Sequence, residues 1–236
     1  MSNYYSGHAV LENVAVMHRY HQWIMDRFIS NFGENILEIG SGLGHLSRLV
    51  PQKKSLTLSD INRDYVSFLS KHFPHRVVAW DIQKPPPELL AKLTPDTIFS
   101  ANVLEHIPDD KKAISHFFRV LRPGGKLLLF VPARPEISGP IDSRLGHCRR
   151  YTPRVLSFLL KSAGFEIKEL RYYNFLGFFA WWLANRLPPF ENYYPLTQKI
   201  YDALLTPFLY LENHLSVPFG QSLFAVAQKP VLGNTP

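Results

Sequence analysis

One cysteine, Cys148, stands in a chain of 236 residues. A single thiol excludes an intramolecular disulfide and a thiolate cluster for zinc, and a reducing, cytoplasmic setting is the simpler expectation. The opening residues, MSNYYSGHAVLEN, have neither a basic start nor an apolar core, so no secretory signal is expected. The most apolar stretch, FLGFFAWWLANRLPPF, is interrupted by Pro188 and Pro189 and falls short of the ~20 residues that span a bilayer. Internal repeats and low-complexity segments are also lacking, and the tail VLGNTP is expected to be loose.

What is present is enough for one sizeable core: 46% of residues are apolar and 14% aromatic. That length and composition suit a single domain with an elaboration better than two domains. A formal charge of +7 favours anionic partners without choosing among phosphorylated small molecules, acidic membrane surfaces and nucleic acid.

Chemistry concentrates first at Asn35 to Arg48, NILEIGSGLGHLSR. Ile36, Leu37 and Ile39 read as a buried parallel strand, and Gly40, Gly42 and Gly44 then predict a tight turn into a helix beginning near His45. Glycines tolerate positive φ and let backbone lie against a ligand, while the first N–H groups of a helix have no partner within it. A dinucleotide fingerprint would read G-x-G-x-x-G and serve a pyrophosphate; here the spacing is one residue shorter, and Glu38 would repel phosphate but suit an ammonium group.

Three further strand ends carry polar residues. Ser55 to Ser59 ends at Asp60, twenty residues beyond Gly40, where a carboxylate can accept from both hydroxyls of a ribose or instead cap the following helix. Arg76 to Trp80 runs into Asp81 and Ile82, and Pro85 to Pro87 then mark a solvent loop. Asp96 to Ala101 leads into NVLEHIPD, an amphipathic helix over Asp109 to Leu121, and LRPGG before the strand Lys126 to Val131.

The E-x-G-x-G-x-G turn, the V-L-E-H segment and the L-R-P-G-G turn together resemble the class I S-adenosylmethionine (SAM)-dependent methyltransferases of the small-molecule branch, over Asn35 to Pro132. The resemblance implies a doubly wound, seven-stranded, mostly parallel sheet of Rossmann-like type, with SAM as cofactor. It implies SAM contacts at Glu38, Gly40, Gly42, Asp60, Asp81, Ile82 and Asn102, with Asp81 accepting from the adenine amine, the Ile82 amide on a ring nitrogen, and Trp80 or Ile61 covering the base. Ser100-Ala101-Asn102-Val103 stands where methyltransferases of exocyclic amines carry an N-P-P-Y-like sequence, so that chemistry and nucleic-acid substrates are disfavoured. No carboxylate-rich pocket beyond Glu105 suggests an aminopropyl transferase.

A sulfonium methyl is already electrophilic, so in-line displacement is expected to need alignment and exclusion of water and no metal. If the acceptor must lose a proton, His106 and His147 are the candidate bases, with Tyr151 beside them; His106 can equally be a structural anchor of its loop. The loop Asp142 to Thr152 joins Asp142, Arg144, His147, Arg149, Arg150 and Tyr151 ahead of a helix capped by Thr152 and starting at Pro153. Arg149 and Arg150 either hold a phosphate, diphosphate or carboxylate on the acceptor, or pair with nearby acids. A similar G-H-x-R-R-Y-T segment occurs in bacterial methyltransferases of unassigned substrate.

The flanks complete the plan. Residues 1–34 are expected to form a helical cover, with Tyr20, Trp23, Ile24, Arg27 and Phe28 at helical spacing and Tyr5, His18, Arg19, Tyr20 or Trp23 near the substrate, Tyr20 foremost. Residues 133–236 carry the acceptor-side loop, a strand from Phe165 to Tyr173, a helical insertion, and a last antiparallel strand, Ser222 to Lys229, between the fifth and sixth. The aromatic insertion is expected to act as a lid, a dimer surface, or a contact for a lipid or lipid-linked acceptor at a membrane surface. The chain is thus read as moving a methyl group from SAM to a small-molecule or lipid- or phosphate-linked acceptor at oxygen or nitrogen, as a monomer or homodimer. Two rivals share its features: a non-catalytic binding protein of the same fold, and a nicotinamide-dependent oxidoreductase, which the glycine spacing opposes. Replacing Asp60 by Ala should weaken SAM binding by roughly 2–4 kcal/mol through loss of its hydrogen bonds; unchanged affinity in calorimetry would remove Asp60 from the site.

Overall fold

The computed structural model describes residues 16–186 and 198–231. The expectations for Tyr5, the Pro188-Pro189 break and the tail lie outside these residues. Helix α1 (His18–Ile29) leads into β1 (Asn35–Ile39), β2 (Ser55–Asp60), α2 (Arg63–His72), β3 (Arg76–Ala79), α3 (Glu88–Leu93) and β4 (Thr97–Ala101). There follow α4 (Asp110–Val120), β5 (Lys126–Pro132), α5 (Pro140–Leu145), α6 (Pro153–Ser162), β6 (Glu166–Tyr173) and α7 (Phe175–Ala184). A helix over 198–211 comes next, π-helical at Tyr201–Leu205 and α-helical at Thr206–Leu211 (α8), and β7 (Ser222–Gln228) ends the sheet.

The strands form one seven-stranded sheet in the order β3-β2-β1-β4-β5-β7-β6. β1 to β5 pair in parallel, while β7 runs antiparallel between β5 and β6, as the last-strand expectation required. Alternate residues of β5 enter opposite cores: Leu127, Leu129 and Val131 pack with α4 and α6, whereas Leu128 and Phe130 pack with α1. Both faces are therefore covered, which is why these strands read as unbroken apolar runs instead of an alternation. The chain leaves β1 toward β2 on one side and returns to β4 on the other, so the crevice for a ligand opens outside the carboxyl ends of β1 and β4.

One local expectation fails. No α-helix begins near His45; the chain makes only a short 3₁₀ turn, Ser47–Leu49, before Pro51. Six residues separate Gly44 from Pro51, and a proline so near cannot continue an α-helix, since it lacks an N–H and clashes with the preceding turn. The helices that do form have the expected stops and starts. Asn62 caps α2 by accepting from the Asp64 amide, Asp109 caps α4, and Thr152 caps α6 with Pro153 at the first helical position. Asp60 is therefore not the cap of α2.

Trp23 joins the two ends of the described chain. Its ring is fully buried against Phe130 and Tyr173, and its indole N–H donates to the Leu209 carbonyl at 3.0 Å. The covering helix is thus pinned both to the sheet and to the late helix. Trp23→Ala should cost about 3–5 kcal/mol of folding stability, read from urea unfolding; a loss under ~1 kcal/mol would mean that this contact does not hold the cover in place.

Candidate functional site

The cofactor half is assembled from four strand ends. Gly40, Gly42 and Gly44 all adopt positive φ, at 71°, 53° and 77°. A Cβ on Gly40 would meet Val103 at 2.3 Å, so the turn after β1 is packed directly against the segment after β4. Gly40 and Ser41 donate their amides to the Ser59 carbonyl, and Gly42 donates to Asp60 Oδ2 at 2.8 Å. These amides therefore tie the glycine turn to β2, and no helix N-terminus is presented there.

Asp60 also accepts from the Asn62 amide at 2.9 Å. Burial raises its pKa, opposed by the backbone bonds from Asn62 and Gly42. Backbone amides of Gly42, Asn62 and Ile61 bond the carboxylate, so the group is fixed in place without filling all of its lone pairs. Ile61 beside it is 63% exposed, an apolar surface with no cover from its own fold. Trp80 behaves otherwise: its ring is buried edge-on against Phe117, and its indole N–H donates to the Lys84 carbonyl at 3.1 Å. Trp80 belongs to the core, so that of the two residues expected over a base only Ile61 is exposed.

The Trp80 amide donates to the Asp60 carbonyl at 3.0 Å and so joins the end of β3 to the end of β2. Asp81 accepts from the Gln83 amide and faces Lys84 at 3.6 Å, while the Ile82 side chain is buried and its carbonyl faces His116 Nδ1 at 2.8 Å. Asn102, exposed and at φ 53°, closes the rim after β4. An asparagine is among the few residues that tolerate this conformation.

Glu38 lies beneath the rim, not on it. It is buried, accepts from the Ser47 hydroxyl, and is pushed up to about 8 by burial, against the pull of Ser47 and Ser41, with Asp60 adding to the rise. At neutral pH it is mostly protonated in the ligand-free chain, and a cation arriving at the turn would favour its ionised form.

The residues expected on the acceptor side gather at the ends of β4 and β5. Glu105, in the 3₁₀ turn Leu104–His106, is 0% exposed, and neither carboxylate oxygen accepts a hydrogen bond from another described residue. Burial pushes it up to about 8, against its own amide and Arg150, while Asp142 raises it further. His147 Nε2 stands 3.9 Å from Glu105 Oε1, and His147 Nδ1 lies 2.9 Å from Asp142 Oδ1. The His106 ring meets the His147 ring edge-on at 4.9 Å. His106 Nδ1 is 3.2 Å from the Gly146 carbonyl, and burial beside His147 lowers the His106 pKa to about 4, so its imidazole is neutral at pH 7.

The remaining predicted residues are held by internal partners. Arg149 pairs with Asp110 at 2.6 Å and donates to the Pro108 carbonyl. Arg150 is buried, donates to Asp142 at 2.7 Å and to the Ala133 carbonyl at 3.0 Å, and stacks over Trp181. The pairing with nearby acids is therefore realised at both arginines. Tyr151 is fully buried, donates to Asp110 Oδ2 at 2.9 Å, and has a strongly raised pKa from burial and then from that carboxylate. Tyr20 stacks on Trp23 with its hydroxyl near Ser222 and Asn174; burial pushes it to about 12.

Sequence reasoning did not find the orphaned Glu105 carboxylate, the gathering role of Asp142, or Ser47 as partner of Glu38. Only Glu105 carried a signal, an acid flanked by apolar residues after a buried strand.

Glu38 makes stability pH-dependent. Its folded pKa of about 8 exceeds the ordinary 4.5, so the folded chain binds the extra proton between those values and loses stability as pH rises through that window. Glu38→Gln should flatten this decline by an amount on the order of 1–3 kcal/mol between pH 5 and 8; urea unfolding with identical slopes in both proteins would refute it.

Comparison with known proteins agrees with this geometry. The family model described as "Methyltransferase domain" matches residues 13–170. The chain is 32% identical over 144 residues to a protein of Mycolicibacterium smegmatis named a probable S-adenosylmethionine-dependent methyltransferase, covering 58% of this chain and 54% of that one. It is 26% identical over 179 residues to the ubiquinone/menaquinone biosynthesis C-methyltransferase UbiE of Francisella tularensis subsp. novicida, covering 72% and 66%. The chain thus spans between half and two thirds of the length of these curated relatives. A SAM-dependent methyltransferase structure from Archaeoglobus fulgidus shares the fold at TM-score 0.60 and 19% identity, over 90% of this chain and 94% of that one. A match over more than half of the chain, on the same strand ends that bear the glycine turn and the ribose-type carboxylate, places the protein in the class I SAM-dependent methyltransferase family, whose cofactor is S-adenosylmethionine.

Proposed function

We propose that the chain transfers a methyl group from SAM to the oxygen or nitrogen of a lipid-linked acceptor, at the surface of an anionic membrane. The observation that carries this reading is a helix turned inside out. Along the helix 198–211, Ile200, Leu204, Phe208 and Leu211 are exposed at helical spacing, with Leu215 exposed just beyond its end, while Asp202 and Thr206 are buried on the other side with Leu209, and Glu212 is buried at its C-cap. Leaving large apolar side chains half in water forgoes on the order of 1 kcal/mol each, which favours an apolar surface as their partner.

The buried acids explain the orientation. Asp202 accepts from the Arg19 and Tyr20 amides in the first turn of α1, and Glu212 accepts from the Asn174 and Phe175 amides at the start of α7. Each acid fills the unpaired N–H groups of another helix, where negative charge is favoured. With these acids turned inward, the exposed face keeps its apolar stripe, and α7 adds exposed Phe179, Trp182 and Leu183.

Charge supports an anionic bilayer over a neutral partner. Among the described residues of 175–186 and 198–215, Asp202 and Glu212 are both buried, whereas Lys199 and Arg186 are exposed. Arg186 sits over the Trp182 ring at 4.2 Å, an aromatic and basic pairing suited to the headgroup level. No helix among the described residues is long and apolar enough to cross a membrane, so the contact is peripheral. The UbiE name offers a further hint, since ubiquinone and menaquinone are themselves lipids with long isoprenoid tails.

On this reading SAM lies over Gly40–Gly44, Asp60–Ile61, Asp81–Ile82 and Asn102, and the acceptor approaches from the ends of β4 and β5. Tyr20 and the partly exposed Arg149 flank that approach, and Arg149 reaches a headgroup phosphate only by giving up its pair with Asp110. The protein aligns donor and acceptor and excludes water, while the sulfonium supplies the reactive methyl.

Flotation with vesicles containing phosphatidylglycerol should carry the protein, and vesicles of phosphatidylcholine alone should carry little. Leu204→Glu with Phe208→Glu should abolish flotation while SAM affinity is unchanged. With methyl-labelled SAM, long-tailed phenol or amine in the vesicles should be labelled at least tenfold faster than the tail-less analogue. Equal flotation of wild type and variant, or preference for the tail-less compound, would overturn the proposal.

A further inference from the structure

Glu105, His106 and His147 come from two separate segments, the 3₁₀ turn after β4 and the loop after α5. They bring one carboxylate oxygen and two imidazole nitrogens within 4.8 Å of one another. We propose that these three side chains form a binding site for a divalent first-row metal ion, zinc or one of similar ligand preference.

The first argument is the carboxylate. Glu105 is completely buried, and both oxygens lack a donor from the described residues. A buried carboxyl group without hydrogen bonds is costly unless it is neutralised, paired or bound to a metal. The cation nearest in charge, Arg150, is already committed to Asp142, the Ala133 carbonyl and the Trp181 face. Arg150 and Asp142 balance each other, so no guanidinium is left over for the Glu105 carboxylate once it ionises.

The second argument is the orientation of the two rings. His147 Nδ1 faces the Asp142 carboxylate at 2.9 Å, and His106 Nδ1 faces the Gly146 carbonyl at 3.2 Å. Both partners accept, so each ring carries its proton on Nδ1 and keeps the Nε2 lone pair. Metal-ligating histidines are held in this way, one nitrogen donating to a carboxylate or carbonyl while the other binds the ion. Asp142 is itself anchored by Gly139 and Trp181, so the His147 ring cannot turn without breaking a four-donor arrangement.

Distances fit a site that contracts on binding. His147 Nε2 and Glu105 Oε1 are 3.9 Å apart, and tetrahedral zinc sets its ligands about 3.3 Å from one another. Two imidazoles and one carboxylate also match the nitrogen and oxygen preference of zinc and its neighbours better than that of magnesium or calcium. Three protein ligands leave a fourth position for an outside oxygen atom. The site lies past the ends of β4 and β5, on the acceptor side of the crevice.

The inference stands apart from the membrane reading, and its test contains neither SAM nor lipid. Chelator-treated full-length protein titrated with Co²⁺ should bind one equivalent with visible d–d absorption, and Zn²⁺ should displace it. Proton spectra of the Co²⁺ form should show two hyperfine-shifted, exchangeable ring N–H signals, the Nδ1 protons of His106 and His147. Glu105→Gln and His147→Gln should each weaken binding at least tenfold, and His72→Gln, on exposed α2, should leave it unchanged. The proposal is overturned by absence of saturable binding, by fewer than two shifted N–H signals in the wild type, or by unaltered affinity in a folded His147→Gln protein. Should the variants not fold, the wild-type proton spectrum alone decides.

Discussion

The loops beyond the ends of β4 and β5 depend on one buried carboxylate, that of Asp142. It collects the Gly139 amide, the Trp181 indole N–H, His147 Nδ1 and Arg150 Nε, from the start of α5, from α7 and from the loop between α5 and α6. Burial alone would raise its pKa, yet the bond to His147 and the charge and bonds of Arg150 and Trp181 outweigh that and lower it. The charge can stay ionised out of water because every direction of the carboxylate meets a donor. His147 is aimed at Glu105 as a consequence, and Arg150 is drawn inward instead of toward a substrate.

The cofactor side is built by a different constraint. Its residues lie on consecutive strand ends, so the hydrogen-bond register of β1, β2, β3 and β4 sets their spacing directly. The amides of Gly40, Ser41 and Gly42 lock the turn to β2, and a buried Glu38 braces it from below through Ser47. Little remains to be arranged by distant parts of the chain.

The elaboration is held by polar contacts that replace helix capping residues. Met17 provides no side-chain cap for α1, and Asp202 supplies one from a helix 182 residues later. Glu212 does the same at α7, where Asn174 adds its own cap at φ 66°. A helix that turns its acids toward the protein must turn its apolar residues elsewhere, and the exposed stripe from Ile200 to Leu215 follows from that choice.

The sequence by itself determined the sheet and which polar residues stand at its strand ends, because strand patterns and glycine spacing are local and the residues at strand ends are fixed by register. The antiparallel last strand was legible in this way, and the caps at Asp109 and Thr152 fell where short-range rules place them. The failed helix near His45 was legible in principle, since Pro51 stands too close. Only tertiary structure decided the rest. Whether Arg149 and Arg150 face a substrate or an acid depends on where Asp110 and Asp142 lie, and those acids reach them through the packing of α4 and α5. Trp80 entered the core, although its position in sequence allowed it to cover a base. Asp202 and Glu212 found partners nearly two hundred and about forty residues away, and the Glu105 carboxylate was buried without a donor from the described residues. Such outcomes depend on which surfaces meet, and no spacing along a single chain encodes them in a form that can be read locally.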